Sequence, residues 1–189
     1  MLAWLIRRKI DGFEAAYDYD MSYVREILDV STQAAIVYSR ATALGSFRRG
    51  VPADIYCLVQ IVGVMHEDCG PCVQLGVKIA LQAGVSPSTL RALLAGELEQ
   101  LPPEYALPVR YARAVLVRDG ASEEFREALQ AKYGKLGLVS LAFSLTCARI
   151  YPTMKYALGF GQACTRITVD GTVVTPVRPT HAIGVGAAA

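Results

Sequence analysis

Two cysteines three positions apart are the residues in this chain whose types and spacing are best suited to chemistry. Residues 69–72 read CGPC, within the segment VGVMHEDCGPCVQLGVKIALQAGVSP. Thiols at this spacing can close a small disulfide ring, and Pro71 suits the first turn of a helix. Free N–H groups and the dipole at a helix N-terminus favour a thiolate. The segment therefore predicts a redox-active pair, Cys69 and Cys72, at the start of a helix.

The same tetrapeptide occurs in thioredoxins, but the sequence around it does not predict a thioredoxin scaffold. That scaffold needs a strand before the pair and further strands after it. Here the preceding segment is long enough for a buried helix, and the chain after the pair has helical periodicity. We therefore expect dithiol chemistry on an all-α scaffold.

The predicted elements are helices with a short β tail. One helix is expected from Asp20 to Gly45, an apolar one from Pro52, and a third from the CGPC segment to Ala83. Later helices are expected to begin near Pro87, Ser122 and Lys135, and the last of them runs to Phe160. Another is expected in the segment LPPEYALPVRYARAVLVRDG, where Pro108 leaves the exact start open.

The C-terminal end predicts a different structure. Asp170 and Gly171 separate two β-branched runs, which is a strong hairpin signal. We expect a helical domain over residues 1–163 and a tail with the hairpin over 164–189. A lone hairpin is marginally stable, so it should pack on the helical body or on a neighbouring subunit.

Composition limits the classes of partner. The chain has 189 residues, 53% of them hydrophobic, and a net charge of +2. Such an apolar chain predicts an oligomer that buries helix faces between subunits. The charge pattern gives no reason to expect nucleic acid, and the apolar run at 136–148 is shorter than the ~20 residues of a membrane span. The N-terminal segment lacks the order of a signal peptide, so we expect a cytoplasmic protein.

The remaining cysteines predict structural roles. Cys57 and Cys147 lie in apolar helical patterns and are expected to be buried. A metal site is an alternative for the pair, because His66, Cys69 and Cys72 recur every three residues. Structural zinc needs four ligands, and the only other histidine is His181. We therefore favour redox chemistry over zinc.

The order of motifs resembles the alkylhydroperoxidase-D and carboxymuconolactone decarboxylase superfamily. An apolar helix, a C-x-x-C pair and then ALQAGVSPSTLRALLAG follow the pattern of that family. The stretch from LPPEYALPVRYARAVL to YPTMKYALGF resembles its second half. The resemblance covers roughly residues 21–160, and within it the C-x-x-C pair argues for the redox branch.

The resemblance implies a helical bundle that assembles as trimers or hexamers and acts as a peroxidase or disulfide reductase. In redox members the second cysteine attacks peroxide and the first resolves the product. This would make Cys72 the attacking residue and Cys69 the resolving one. Reasoning from the helix end alone favours Cys69 as the exposed nucleophile. The order stays open at this point.

The sequence departs from the family where proton transfer is expected. Gly76 stands where the family has a histidine, and Cys57 stands where it has a glutamate. The candidate replacements are His66, Glu67 and Gln74. His66 has a suitable intrinsic pKa for a base. The negative charge of Glu67 would raise a thiol pKa, and Gln74 can only form hydrogen bonds.

The sequence thus predicts a thiol–disulfide oxidoreductase or peroxidase that uses Cys69 and Cys72, with His66 and Glu67 as candidate proton-transfer residues. A separate, unknown reductant must restore the dithiol. No flavin, nicotinamide or haem motif is visible, so we expect no bound cofactor. Two alternatives remain: a non-catalytic member that binds a small ligand or a protein partner, and metal binding through His66, Cys69 and Cys72.

Overall fold

A computed structural model describes residues 2–163 and 165–177. This part of the chain is mostly helical, with a small antiparallel hairpin near its end, which confirms the predicted all-α class. The helices are α1 (Leu2–Tyr17), α2 (Ser22–Val30), α3 (Thr32–Thr42), α4 (Ala53–His66), α5 (Gly70–Gln82), α6 (Pro87–Ala95), α7 (Pro103–Val117) and α8 (Ser122–Ala157). Short 3-10 turns occupy Ala43–Ser46 and Leu98–Gln100.

Helix α4 is the centre of the main core. It packs against α5, α7 and α8, and Leu58, Val59 and Ile61 are fully buried. A helix that is apolar on all sides is stable only when neighbours cover it. The sequence predicted this buried helix, and its C-terminal end leads directly into the cysteine pair.

The N-terminal region forms a second hydrophobic cluster, and here the sequence-based boundaries were wrong. The single helix predicted from Asp20 to Gly45 is divided at Ser31, whose backbone is extended and whose hydroxyl accepts a hydrogen bond from the N–H of Ala34. Serine competes for backbone groups in this way and so favours a cap over a helix interior. Helix α1, which was not predicted, packs beside α2.

Helix α8 combines the last two predicted helices. Gly134 has a left-handed φ of 70°, which interrupts the helical backbone where the sequence placed a stop. By length and composition alone α8 could cross a membrane, but 44% of its most apolar window is buried inside the protein. One helix of this kind is weak evidence for a membrane span, because the buried core helix of a helical bundle has the same length and composition.

The hairpin joins β1 (Ile167–Val169) to β2 (Thr172–Val174). Both turn residues have positive φ, as a two-residue type I′ turn requires. Ile167 and Val169 are buried in the main core, which confirms packing on the helical body. The predicted tail beyond Val177, together with Cys164 and His181, lies outside the described residues.

Candidate functional site

The cysteine pair lies where the sequence placed it, at the N-terminus of α5. Cys69 and Cys72 are joined by a disulfide, and their Cα atoms are 5.3 Å apart. Cys69 precedes the first helical residue, and its N–H donates to the carbonyl of Val64 on α4. The N–H of Gly70 donates to the carbonyl of Gln162 at 3.0 Å. The pair is therefore held between α4 and the segment that leads to the hairpin.

The two cysteines differ in access. Cys69 is fully buried, whereas Cys72 lines a cavity of about 420 Å³. This volume is within the usual range of small-molecule sites. Of the two cysteines, a molecule in the cavity would therefore contact Cys72.

Aromatic and aliphatic side chains form most of the cavity wall. Helix α1, the α1–α2 connection, α4, α5 and α8 all contribute. The aromatic members are Phe13, Tyr19, Tyr23, Tyr56 and Tyr151. Such a wall favours an apolar or aromatic organic molecule over a strongly hydrated one.

A tyrosine and a lysine lie close to the sulfur of Cys72. The hydroxyl of Tyr19 is 3.8 Å from the Sγ atom of Cys72. The Nζ atom of Lys155 donates to that hydroxyl at 3.1 Å and lies 4.5 Å from the centre of the Tyr19 ring. Lys155 is 3% exposed, and it is the one charged residue with a buried side chain among residues 2–163 and 165–177. A chain of polar groups thus connects a buried amine to the cavity-facing sulfur.

Burial shifts the pKa of both groups in the direction that favours the neutral form. It lowers the pKa of Lys155, because the ammonium is removed from water, although the carboxylate of Asp20 partly opposes this. Burial raises the pKa of Tyr19 well above its ordinary value, and nearby Tyr23 adds to the effect. Tyr19 therefore remains a neutral hydrogen-bond donor at physiological pH. Lys155 loses its proton more readily than a lysine in water does.

Gly76 stands where the resembled superfamily has a histidine, and a side chain there would require Ile61 to move. A Cβ atom on Gly76 would lie 2.9 Å from Cγ1 of Ile61, and Ile61 is itself fully buried. Gly76 therefore permits the close approach of α5 to α4. Cys57, at the position of the family glutamate, lines the cavity as a free thiol, and burial raises its pKa.

The other sequence-based candidates lie elsewhere. His66 ends α4 and is absent from the lining of this cavity. Glu67 accepts a hydrogen bond from Nε of Arg149 and forms an ion pair with it. Gln74 holds the hairpin, since its side chain bonds both the N–H and the C=O of Thr168, at 2.8 and 2.9 Å. The roles of His66 and Glu67 in proton transfer stay predictions.

Metal binding has little geometric support in the part of the chain that the structure describes. No group of three or more potential ligands converges there. The sulfurs of Cys69 and Cys72 bond each other in this state, and metal coordination would require the reduced pair.

Sequence reasoning missed Tyr19 and Lys155. A signal existed for Lys155, because it is a single charge between apolar residues in the segment IYPTMKYALGF. Tyr19 carried no such signal, since it is 53 positions from Cys72 and only folding brings them together.

Comparisons with protein-family models, with curated proteins and with solved structures find no match. The resemblance to the alkylhydroperoxidase-D superfamily therefore depends on the residues and spacing in this chain.

Proposed function

We propose that this protein is a thiol–disulfide oxidoreductase of the alkylhydroperoxidase-D type, which reduces an organic hydroperoxide or disulfide with the dithiol of Cys69 and Cys72. The observation that supports this most directly is the position of Cys72. Cys72 lines a largely apolar cavity and is 5% exposed, while its disulfide partner Cys69 is fully buried and does not line that cavity. A substrate can reach one sulfur, and the other is close enough to resolve the product.

The chemical steps balance with two thiols and one hydroperoxide. The thiolate of Cys72 attacks the terminal oxygen of the O–O bond, which breaks to give a sulfenic acid and, after protonation, an alcohol. The thiol of Cys69 then attacks the sulfenic sulfur, and water leaves as the disulfide forms. An external dithiol of unknown identity must reduce the disulfide before the next turnover.

Lys155 and Tyr19 replace the missing family histidine in this proposal. The thiol proton of Cys72 passes towards Lys155 through the Tyr19 hydroxyl, because these three groups form one chain. The resulting ammonium and the Tyr19 hydroxyl stabilise the thiolate. Both are positioning residues, since each acts on the reaction through the sulfur of Cys72.

Assembly as a trimer or hexamer belongs to the same proposal. The number three derives from the family resemblance, while apolar exposure supports association. Leu136 and Val139 on α8 are 54% and 44% exposed, and solvent contact with such groups is unfavourable. Light scattering at micromolar concentration should give a multiple of three times 20.4 kDa. A monomer would contradict this part of the proposal.

A non-catalytic binding protein is the second candidate, and the cavity itself favours it. An aromatic cavity of this volume can hold a ligand without chemistry. Metal binding through His66, Cys69 and Cys72 remains the third candidate.

The deciding experiment compares peroxide consumption by the reduced wild-type protein with Cys72→Ser and Cys69→Ser. We expect one cumene hydroperoxide molecule to be consumed per wild-type chain in a single turnover, with loss of two thiols. Cys69→Ser should also consume one peroxide but stop at a sulfenic acid on Cys72, detectable by dimedone labelling and mass spectrometry. Cys72→Ser should be inactive.

Cys57→Ser serves as the matched control, because Cys57 is another thiol on the cavity wall. It should behave as the wild type does. Equal consumption by Cys72→Ser and wild type would refute the redox proposal, as would no consumption of cumene hydroperoxide or of a small disulfide by the wild type.

A further inference from the structure

The cavity is elongated along α4. Ala53, Cys57, Gln60 and Val64 all line it, and they recur at helical spacing on one face of the helix. The first and the last are eleven positions apart, which corresponds to about 16 Å along the helix axis. The disulfide lies at the Val64 end, because the N–H of Cys69 donates to the carbonyl of Val64.

A cationic side chain lies at the opposite end. Arg48 lines the cavity just before α4 begins, and it is exposed to solvent. Its guanidinium donates to the backbone carbonyl of Val51 at 3.3 Å. Within residues 2–163 and 165–177 it forms no ion pair with a carboxylate. It therefore has donors left for a ligand.

The positive charge of Arg48 lowers the pKa of two side chains on the cavity wall. It counteracts the effect of burial on the pKa of Cys57 and of Tyr56, both of which line the cavity. The carboxylate of Asp54 acts on Cys57 in the opposite direction, but it accepts hydrogen bonds from a tyrosine hydroxyl and a backbone N–H. The N-terminus of α4 adds a positive partial charge at the same end.

The wall between the two ends is largely apolar. Leu75, Ile79 and Val64 contribute aliphatic surface, and Phe13 and Tyr56 contribute rings. A ligand that matches this arrangement is a long apolar molecule with an anionic group at one end. A small hydrated peroxide would use neither the wall nor Arg48.

We propose that the cavity binds an apolar-chain hydroperoxide that ends in a carboxylate, with the carboxylate at Arg48 and the O–O bond at Cys72. This inference specifies the substrate class of the proposed peroxidase and rests on that function for its chemical step. The electron balance is that of the proposed reaction: the O–O bond is reduced to an alcohol and water, and the dithiol is oxidised. Binding of the carboxylate at Arg48 can be measured separately, with ligands that do not react.

The experiment uses linoleic acid hydroperoxide, its methyl ester and the corresponding hydroxy acid and hydroxy ester, all below their micellar concentrations. Isothermal calorimetry with the unreactive hydroxy compounds reports binding, and turnover of the hydroperoxides reports chemistry. Arg48→Gln removes the charge. Arg49→Gln is the matched control, because Arg49 is the neighbouring exposed arginine and does not line the cavity.

The wild type and Arg49→Gln should bind the hydroxy acid about three- to ten-fold more tightly than its ester, as expected for a charge-assisted hydrogen bond at a partly exposed site. Arg48→Gln should lose this preference and keep its affinity for the ester. Turnover of the acid hydroperoxide should fall by the same factor in Arg48→Gln, and Arg49→Gln should turn it over at the wild-type rate.

The two proposals fail in distinguishable ways. Equal affinity of the wild type for acid and ester, or the same loss in Arg49→Gln as in Arg48→Gln, would overturn the carboxylate inference and leave peroxidase activity intact. An Arg48-dependent preference for the acid, without consumption of any hydroperoxide, would support the binding inference and refute the peroxidase.

Discussion

Two cysteines in this molecule contact a tyrosine hydroxyl, and they differ in almost everything else. Cys72 lies 3.8 Å from the hydroxyl of Tyr19, and Cys147 lies 3.2 Å from that of Tyr151. Cys147 also donates to the carbonyl of Thr42, is fully buried and does not line the cavity.

The difference indicates what a thiol needs to become a redox centre. Cys72 lines the cavity and forms a disulfide with Cys69. The tyrosine that it contacts accepts a hydrogen bond from Lys155. Cys147 contacts Tyr151 and backbone groups of Thr42 and Gly45, and burial raises its pKa. A thiol with a raised pKa and no access is inert. A cysteine–tyrosine contact therefore does not by itself make a reactive site.

The largest expected effect is the difference in reactivity between these two thiols. After reduction, limited iodoacetamide at pH 7 should modify Cys72 more than about 100-fold faster than Cys147, because access and thiolate character act together. Peptide mapping by mass spectrometry measures both rates in one sample. Labelling of Cys147 at a comparable rate would contradict the comparison.

Replacing Lys155 should remove much of this difference. Lys155→Met keeps the length and apolar volume of the side chain, so the buried site stays filled while the charge is lost. We expect alkylation of Cys72 at pH 7 to slow by about 10- to 100-fold, the value of a hydrogen-bonded charge, and to recover at high pH, where the thiolate forms unaided.

Lys78→Met is the control for the lysine variant, since Lys78 bonds the backbone carbonyl of Tyr17 and approaches Asp18. It should keep the wild-type pH profile. His66→Ala and Glu67→Gln belong in the same series. If either reproduces the Lys155→Met profile while Lys155→Met does not differ from wild type, proton transfer runs through the residues that the sequence favoured.

The two tyrosines provide a matched pair of smaller effects. Tyr19→Phe removes the hydroxyl between Lys155 and Cys72, and alkylation of Cys72 should slow by about five-fold, the equivalent of ~1 kcal/mol. Tyr151→Phe removes the hydroxyl at Cys147 and should leave Cys72 unchanged. Stopped-flow thiol kinetics on both variants measures this, and equal slowing would assign the effect to packing.

The smallest expected effect concerns the free energy of unfolding contributed by the hydrogen bond between the buried residues Tyr38 and Tyr23. Tyr38 donates to the hydroxyl of Tyr23 at 3.3 Å, and burial raises the pKa of both. Tyr23→Phe should therefore cost about 1 kcal/mol of unfolding free energy at pH 8. Urea denaturation measures this difference.

The sign of the pH dependence follows from proton binding. Above about pH 10 an unfolded tyrosine ionises while buried Tyr23 keeps its proton, so the native state binds more protons and the wild type loses stability as pH rises. The Tyr23→Phe variant has no hydroxyl at this position, so it does not lose stability in this way as pH rises. The advantage of the wild type should therefore shrink between pH 10 and 11. A difference that stays constant with pH would mean that Tyr23 ionises normally in the fold.

Much of the fold was accessible from the sequence because it depends on local signals. Ser86 and Pro87 start α6 as predicted, with the serine hydroxyl accepting from the N–H of Thr89. The hairpin turn at Asp170 and Gly171 has the positive φ values that its residue types favour. The break at Ser31 was missed, since serine is compatible with both a helix interior and a cap, and packing decides between them.

The candidate site divides in the same way. The sequence by itself determined the dithiol, its place at a helix N-terminus and the burial of Cys57, because two-residue spacing, a first-turn proline and apolar periodicity are local properties. Only the tertiary structure decided that Cys72 lines the cavity and that Ile61 occupies the space beside Gly76. It also decided that Tyr19 contacts the sulfur of Cys72 and that Lys155 bonds the Tyr19 hydroxyl. These contacts join residues distant in the chain, and no local pattern encodes which distant side chain a folded core will bring to a given atom.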